Sequence, residues 1–464
     1  MMRCQWSFAV SCAAALGLGG CYGGLSDNAA EGVAEDGGGS AEDGGDGGDD
    51  DGESDGADDG GPPTVECDGE VLDPGPNMAR RLTVREYTNT VQALLSVDIR
   101  SEAIDALPGE LRADGFTNSS SGLITTLPHI EGYDELAELA VSRIPNLATF
   151  AGQYTDCDQF TDVCKRQFVE KLGLRAFRRP VSQDEADLLV RVFDIAEAEG
   201  QGFDVGAGLV IETMMQSPPF LYRLEDETTG SGARALTGYE MATRLSYLLW
   251  AGPPDDILLA AAADDTLVDD EEIQAQVDRM LDLPEARDAS IGFLSDWLNL
   301  PRLANLPRDP ERFPTWSLAI AAAMQQETIQ FFTSIAWDQE RALSDLFIAQ
   351  ETWLTPELAD FYGIPGGAPG FGQVDVTDLP ERGGLLTQGS LLTIGGDNAS
   401  MVARGLFVFE HVLCSHPVSP PDGIDTTPPP VEAGKPQRYY AEERLANEAC
   451  QGCHLQFEPL AFGL

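Results

Sequence analysis

The chain has 464 residues, 42% of them hydrophobic, enough for substantial cores in about two to four domains. Its 28 Lys and Arg against 78 Asp and Glu give a formal net charge of -50. That charge repels phosphate backbones and anionic lipid surfaces, which argues against nucleic acid as a partner. It suits solubility outside the cytoplasm, or the docking of a basic redox partner such as a small electron carrier.

Residues 1–20 read as a signal peptide. Arg3 precedes an apolar run from Phe8 to Leu18 that is too short to span a bilayer as a mature helix. The run closes with Leu18-Gly19-Gly20-Cys21, which looks like a bacterial lipobox and would make Cys21 a lipid-carrying membrane anchor. An ordinary export signal cleaved nearby is the other reading. No later segment has about 18 consecutive apolar residues, so no membrane-spanning helix is expected.

Residues 21–66 are expected to form a disordered acidic tether. From Tyr22 to Pro63 there is no basic residue and almost nothing to bury, so the segment cannot offset its ordering entropy, and self-repulsion extends it. A calcium-binding repeat is the sharper alternative, but the fixed period and spaced glycine of such a loop are missing.

A folded body begins near Cys67. Three helices are announced by a Ser or Thr N-cap with Glu three residues on: Thr83 with Glu86, Ser182 with Glu185, and Thr237 with Glu240. The apolar faces expected behind them are Tyr87, Val91, Leu94 and Leu95, then Leu188, Leu189, Val192 and Phe193, then Met241, Leu245, Leu248 and Leu249. Helical periodicity also marks Ile273 to Leu281, Ala289 to Leu300 and Leu318 to Ile335, and Thr355-Pro356-Glu357 reads as another helix start. No run of alternating β-branched residues is convincing. The fold class expected is mainly α, a multi-helix body after a disordered acidic linker with a short C-terminal cytochrome c-like segment.

Between the body and the C-terminus, Pro417 to Pro436 reads as an extended connector in polyproline geometry. The stretch that follows carries Cys450-Gln451-Gly452-Cys453-His454, the spacing of a c-type haem attachment site. Thiols three residues apart share one face of a helical turn, so both can add to the vinyl groups of one porphyrin. His454 then offers an imidazole to the iron as proximal ligand. A zinc site would need four ligands, yet there is no second Cys-x-x-Cys, and His411 and His416 are separated from these cysteines by the connector. A thioredoxin-like pair wants a βαβ setting, whereas Ala441 to Glu448 reads as a polar helix. A plain Cys450–Cys453 disulfide remains open.

The nine cysteines divide accordingly. Cys4 and Cys12 leave with the signal, Cys21 takes lipid, and Cys450 and Cys453 take haem c. Cys67, Cys157, Cys164 and Cys414 remain, and disulfides are permitted in an oxidising compartment. Cys157 and Cys164 are close enough to pair across a short loop, but the connectivity stays open.

Several motifs together resemble one family, the large exported proteins of planctomycetes and myxobacteria built from planctomycete PSD domains of unknown function and a cytochrome-C-like domain. Arg80-Arg81-Leu82-Thr83-Val84-Arg85-Glu86-Tyr87 resembles the family's opening motif, and Gly115-Phe116-Thr117-Asn118 its following turn. Ala176-Phe177-Arg178-Arg179-Pro180, with Pro218 and Phe220-Leu221-Tyr222-Arg223, resembles a second domain. Tyr239-Glu240, Arg244 to Trp250 and Pro254-Asp255-Asp256 resemble a third. Arg382-Gly383-Gly384-Leu385-Leu386, Arg404-Gly405, the connector and Cys450 to His454 resemble the cytochrome-C-like domain.

The resemblance implies a haem-binding redox protein. This chain departs from the family at Ala399 to Ala403, where relatives carry Thr-Ser-Pro-Val, and at Glu458-Pro459, where they carry Asp-Pro. Relatives also continue beyond the position of Leu464 into a further domain. The organisation expected is a helical domain over 67–150, a second over 151–230, a third over 231–365 and the cytochrome-C-like domain with its connector over 366–464.

Only ten residues follow His454, so a distal iron ligand must come from upstream: Met401, His411 or His416, with His129 more remote. Otherwise the iron is five-coordinate. The acidic pairs Asp255-Asp256 and Glu271-Glu272 read as solvated surface rather than a glycosidase, and no Gly-x-Ser-x-Gly, P-loop or Gly-x-Gly-x-x-Gly placed between strand and helix is present. Arg178-Arg179 is expected to neutralise neighbouring carboxylates. Two functions are compatible with this sequence. One is a lipid-anchored haem protein that transfers electrons or serves an extracytoplasmic oxidoreductase. The other is a non-enzymatic helical surface protein with a Cys450–Cys453 disulfide.

Overall fold

The computed structural model describes residues 78–113, 115–157, 159–225, 234–364, 369–395, 400–418, 432 and 434–463. The signal peptide, Cys21, the acidic tether, Cys67 and most of the connector lie outside them. Met78–Glu225 and Leu236–Leu464 form one compact unit. Helix takes up 61% of the described residues and strand 4%, so the body is mainly α and its cores are made by helices packing on helices. Among the described residues no helix is long and apolar enough to cross a membrane.

The three expected helix starts are present with reciprocal caps. Before helix Val84–Leu95 the Thr83 hydroxyl accepts from the Glu86 N–H at 3.1 Å, and the Thr83 N–H donates to Glu86 Oε2 at 2.8 Å. The same box opens Gln183–Ala198 at Ser182 and Gly238–Leu249 at Thr237. Each satisfies donors that the first helical turn would otherwise leave unpaired.

The first helix buries Tyr87, Val91, Leu94 and Leu95 as expected. The other two correct the reading. Leu188 and Leu248 are 58% and 60% exposed, while the buried faces run through Ala186, Leu189, Phe193 and Ala196, and through Ala242, Leu245, Ser246 and Tyr247. Tyr247 takes the inward place because its hydroxyl reaches Thr90 Oγ1 at 2.8 Å and accepts from Arg178 Nη1 at 3.2 Å.

The first core runs from Leu82 to Tyr247. It is closed by a short antiparallel ladder of Arg80–Arg81 against Tyr222–Arg223, which joins the opening motif to the end of the second one. Arg178 departs from expectation. Rather than meeting carboxylates, its guanidinium donates to the carbonyls of Pro219 at 2.6 Å, Tyr222 at 2.8 Å and Phe220 at 3.1 Å. Arg179 does pair with a carboxylate, Glu185 at 2.8 Å. A disulfide joins Cys157 to Cys164 and ties the loop to the first turn of helix Asp162–Ala176.

The second core runs from Leu294 to Val408 around helix Leu318–Thr333. Its other feature was not expected: strands Glu351–Leu354 and Gly372–Asp375 pair antiparallel, with Glu351 opposite Asp375. Thr352, Trp353 and Leu354 are all buried, so no alternation marks the strand in the sequence. The pattern from Ala289 to Leu300 is broken where helix Pro284–Trp297 ends. Asn299 adopts a left-handed φ of 48° before a 3-10 turn at Leu300–Asn305. Asp255 caps helix Asp256–Ala263 and pairs with Arg279 at 2.8 Å, a structural role for that acidic pair.

Met401, Ala441 and Ala461, with Phe462 beside them, make a small third cluster under the C-terminus. Gly405, in helix Met401–Phe407, is a close-approach glycine, since a Cβ there would collide with the Phe457 carbonyl. Its neighbour Arg404 donates to the Leu392 carbonyl from Nη2 at 2.6 Å and Nε at 3.1 Å. The Arg-Gly pair thus fixes the helix on which the C-terminal segment rests.

Candidate functional site

Helix Gln437–Ala446 ends in a turn at Asn447, whose Oδ1 accepts from the Ala449 N–H at 2.9 Å and starts a second helix, Glu448–His454. The polar helix expected over Ala441 to Glu448 is therefore two helices meeting at Asn447. The second carries the whole attachment motif. Cys450 and Cys453 are half-buried free thiols, three residues apart on one helix. Between them Gln451 and Gly452 are exposed, and a Cβ built on Gly452 would meet open space. One side of the motif therefore faces solvent.

The other side is built. Glu458 opens the 3-10 turn Glu458–Gly463 and is 0% exposed. Its Oε1 accepts from Arg444 Nε at 3.0 Å and from Arg444 Nη2. Its Oε2 lies 3.2 Å from Nδ1 of His454, within ion-pair reach, although the ring is turned so that no aligned hydrogen bond forms. Among the described residues neither atom has a hydrogen-bond partner. The His454 side chain is 22% exposed and packs against the Phe457 ring at 5.2 Å between centroids. The sequence marked Glu458 only as a departure from the family's Asp-Pro, and gave Arg444 no role. The signal was present in the i,i+4 spacing of His454 and Glu458.

The distal candidates are spread out. Met401 is buried against Ala441, Ala461 and Phe462. His411 is half-buried and stacks on Phe407 at 5.1 Å, and its Cε1 would lie 2.9 Å from a Cβ on Gly115. Burial holds its pKa below the ordinary histidine value, with Arg112 adding to the effect and Glu410 opposing it. His416 and Cys414 are exposed. His129 is buried and completes a fourth capping box, its Nδ1 lying 2.9 Å from the Thr126 hydroxyl. Among the described residues no group of three or more His, Cys, Asp or Glu side chains is placed to hold a metal ion.

A second polar centre lies in the core formed around helix Leu318–Thr333. Glu327 is 1% exposed and accepts from the hydroxyls of Thr352 at 2.6 Å and Tyr362 at 2.7 Å. Burial pushes its pKa up to about 7, against the two hydroxyls and Arg382.

Four family models match the chain in order. They are PSD3, a protein of unknown function (DUF1587), over residues 80–145, and PSD5, likewise of unknown function (DUF1595), over 164–225. PSD4 (DUF1592) follows over 236–364 and PSCyt3 (DUF1588) over 382–464, both also of unknown function. No curated protein and no solved structure matches. The fold and the C-terminal site thus define a mainly helical protein with a cytochrome-like C-terminal segment. The chain belongs to the planctomycete PSD and PSCyt3 domain proteins.

Proposed function

We propose that the chain is an exported c-type haem protein that transfers electrons, alone or as a subunit of an extracytoplasmic oxidoreductase. Cys450 and Cys453 would hold the group through thioethers, and His454 would be its proximal ligand. The observation that carries this reading is the site itself: two free thiols and a histidine on one helix, with Nδ1 of that histidine facing a buried carboxylate. The donor set fits, since the Nδ1 contact leaves Nε2 for the iron and the thiols border a solvent-open side. A bound haem would supply a one-electron couple. The protein's own part is to hold His454 against Glu458 and Phe457 and to leave one face of the motif accessible.

The further expectations belong to the same proposal. The lipobox-like Leu18-Gly19-Gly20-Cys21 supports an anchor on Cys21 facing the periplasm or cell surface. The net charge of -50 supports a basic redox partner. Cys21→Ala should leave the protein released or unprocessed, read by membrane fractionation after carbonate washing.

The test of the cofactor is expression in a host with a c-type maturation system, followed by a pyridine haemochrome spectrum and intact mass. One covalent haem is expected, and His454→Ala should alter or abolish the Soret band. A colourless protein whose Cys450 and Cys453 are merely oxidised, from a host that loads a control cytochrome, would overturn the reading in favour of the helical surface protein.

A further inference from the structure

We infer that Glu458 is the positioning residue of the proximal histidine, fixing its ring through Nδ1 and raising the electron density that Nε2 offers to the iron. The inference rests on the haem reading above. Glu458 is completely buried, and Arg444 grips one of its oxygens. A buried carboxylate needs such a partner. What Arg444 does not use is Oε2, and that oxygen lies 3.2 Å from His454 Nδ1.

Among the described residues neither atom has a hydrogen-bond partner, and the two lie 3.2 Å apart. A small rotation of the ring would align Nδ1–H on Oε2. Ligating histidines commonly give their second N–H to such a carboxylate, which fixes the tautomer and makes the ligating nitrogen more basic. A more basic axial nitrogen stabilises the ferric state and lowers the midpoint potential. The turn after the helix supplies the geometry: Glu458 stands four positions after His454, at the start of the 3-10 turn, and the close approach of Gly405 to the Phe457 carbonyl holds the intervening turn in place. Arg444, from the preceding helix, completes the chain Arg444–Glu458–His454.

The test uses the full mature chain, with and without haem. In the haem-free protein at alkaline pH, long-range nitrogen–proton NMR of the His454 ring should show the proton on Nδ1. The Glu458→Gln variant should shift that ring toward the Nε2–H form. In the loaded protein Glu458→Gln should raise the midpoint potential by about tenfold in the reduction equilibrium, about 59 mV for one electron. Glu458→Asp, which keeps the carboxylate, should restore part of the difference.

An Nε2–H tautomer in the unaltered haem-free protein would overturn the inference, whatever the variants do. So would a loaded Glu458→Gln protein of unchanged potential, which would leave Glu458 as a salt-bridge partner of Arg444 alone. Absence of covalent haem in the unaltered protein would instead sink the cofactor reading, while the tautomer measurement would still report on the Glu458 contact.

Discussion

The Tyr362 hydroxyl donates to Glu327 Oε2 at 2.7 Å and accepts from the Gly389 N–H at 3.1 Å, so a buried carboxylate stitches together three separate stretches of the second core. The third is Thr352, on the strand that the sequence hid. Arg382 lies over the Tyr362 ring at 4.1 Å without neutralising the carboxylate, which is why burial dominates its titration.

That arrangement has a signed consequence for stability. The native pKa of Glu327, about 7, lies above the ordinary value of 4.5, so the folded state holds a proton that the unfolded state releases. The group's contribution is fully present below about pH 4.5 and is lost as pH rises to about 7, with an upper size of about 3 kcal/mol. Glu327→Gln mimics the protonated form. It should match the unaltered protein near pH 4.5 and exceed it in unfolding free energy at pH 8. Urea melts across that range check this, and a difference between the two proteins that does not change with pH would refute it.

Gly405→Ala sets two effects of opposite sign against each other. In an open helix the change would stabilise by about 1 kcal/mol through reduced chain entropy. Here the new methyl meets the Phe457 carbonyl, and overpacking of this kind costs about 1–3 kcal/mol. Net destabilisation is therefore expected, confined to the C-terminal segment. Limited proteolysis should show cleavage after Ala446 accelerated relative to the rest of the body. Equal or slower cleavage would show that the segment has room to shift.

These two residues mark how far the sequence could be read. The caps at Thr83, Ser182 and Thr237 were legible because a capping box is a local pattern of two residues. The inward faces of the second and third helices were not, because Leu188 and Leu248 are as apolar as the residues that are buried. The choice was made by distant partners, Thr90 and Arg178 for Tyr247. Arg178 likewise looked like a charge in search of carboxylates, and only the fold brings three carbonyls to it. Glu327 meets Thr352 and Tyr362 across 25 and 35 residues of sequence, which no periodicity encodes. At the C-terminal site the attachment motif was plain. Its supporting carboxylate was four residues beyond, at the spacing any helical reading allows.

Replacing both Cys157 and Cys164 by Ala should lower stability. Their sequence separation is 7, and closing so short a loop restricts the unfolded chain by about 2.5 kcal/mol. The loss should be seen as a lower denaturant midpoint, and the unaltered protein should fall to the same midpoint when reduced. A reduced protein as stable as the oxidised one would mean that the bridge adds nothing to the folded body.

The last prediction concerns the sixth position of the iron, again within the haem reading. Met401 fills an apolar cluster with Ala441, Ala461 and Phe462, and His411 is held between Phe407 and the Gly115 turn. Neither is a loose side chain that could swing to the motif without vacating a packed place. His416 is exposed, in the stretch leading to the connector. With Gln451 and Gly452 exposed beside the thiols, solvent has access to that face. The expected ferric protein therefore takes added imidazole or cyanide readily, and Met401→Leu, His411→Ala and His416→Ala each leave its absorption spectrum unchanged. Met401→Leu is chosen because it conserves volume, so a spectral change could not be put down to a cavity. A Soret shift in any one of the three, with slow binding of added ligand in the unaltered protein, would identify that residue as the sixth ligand and refute the prediction.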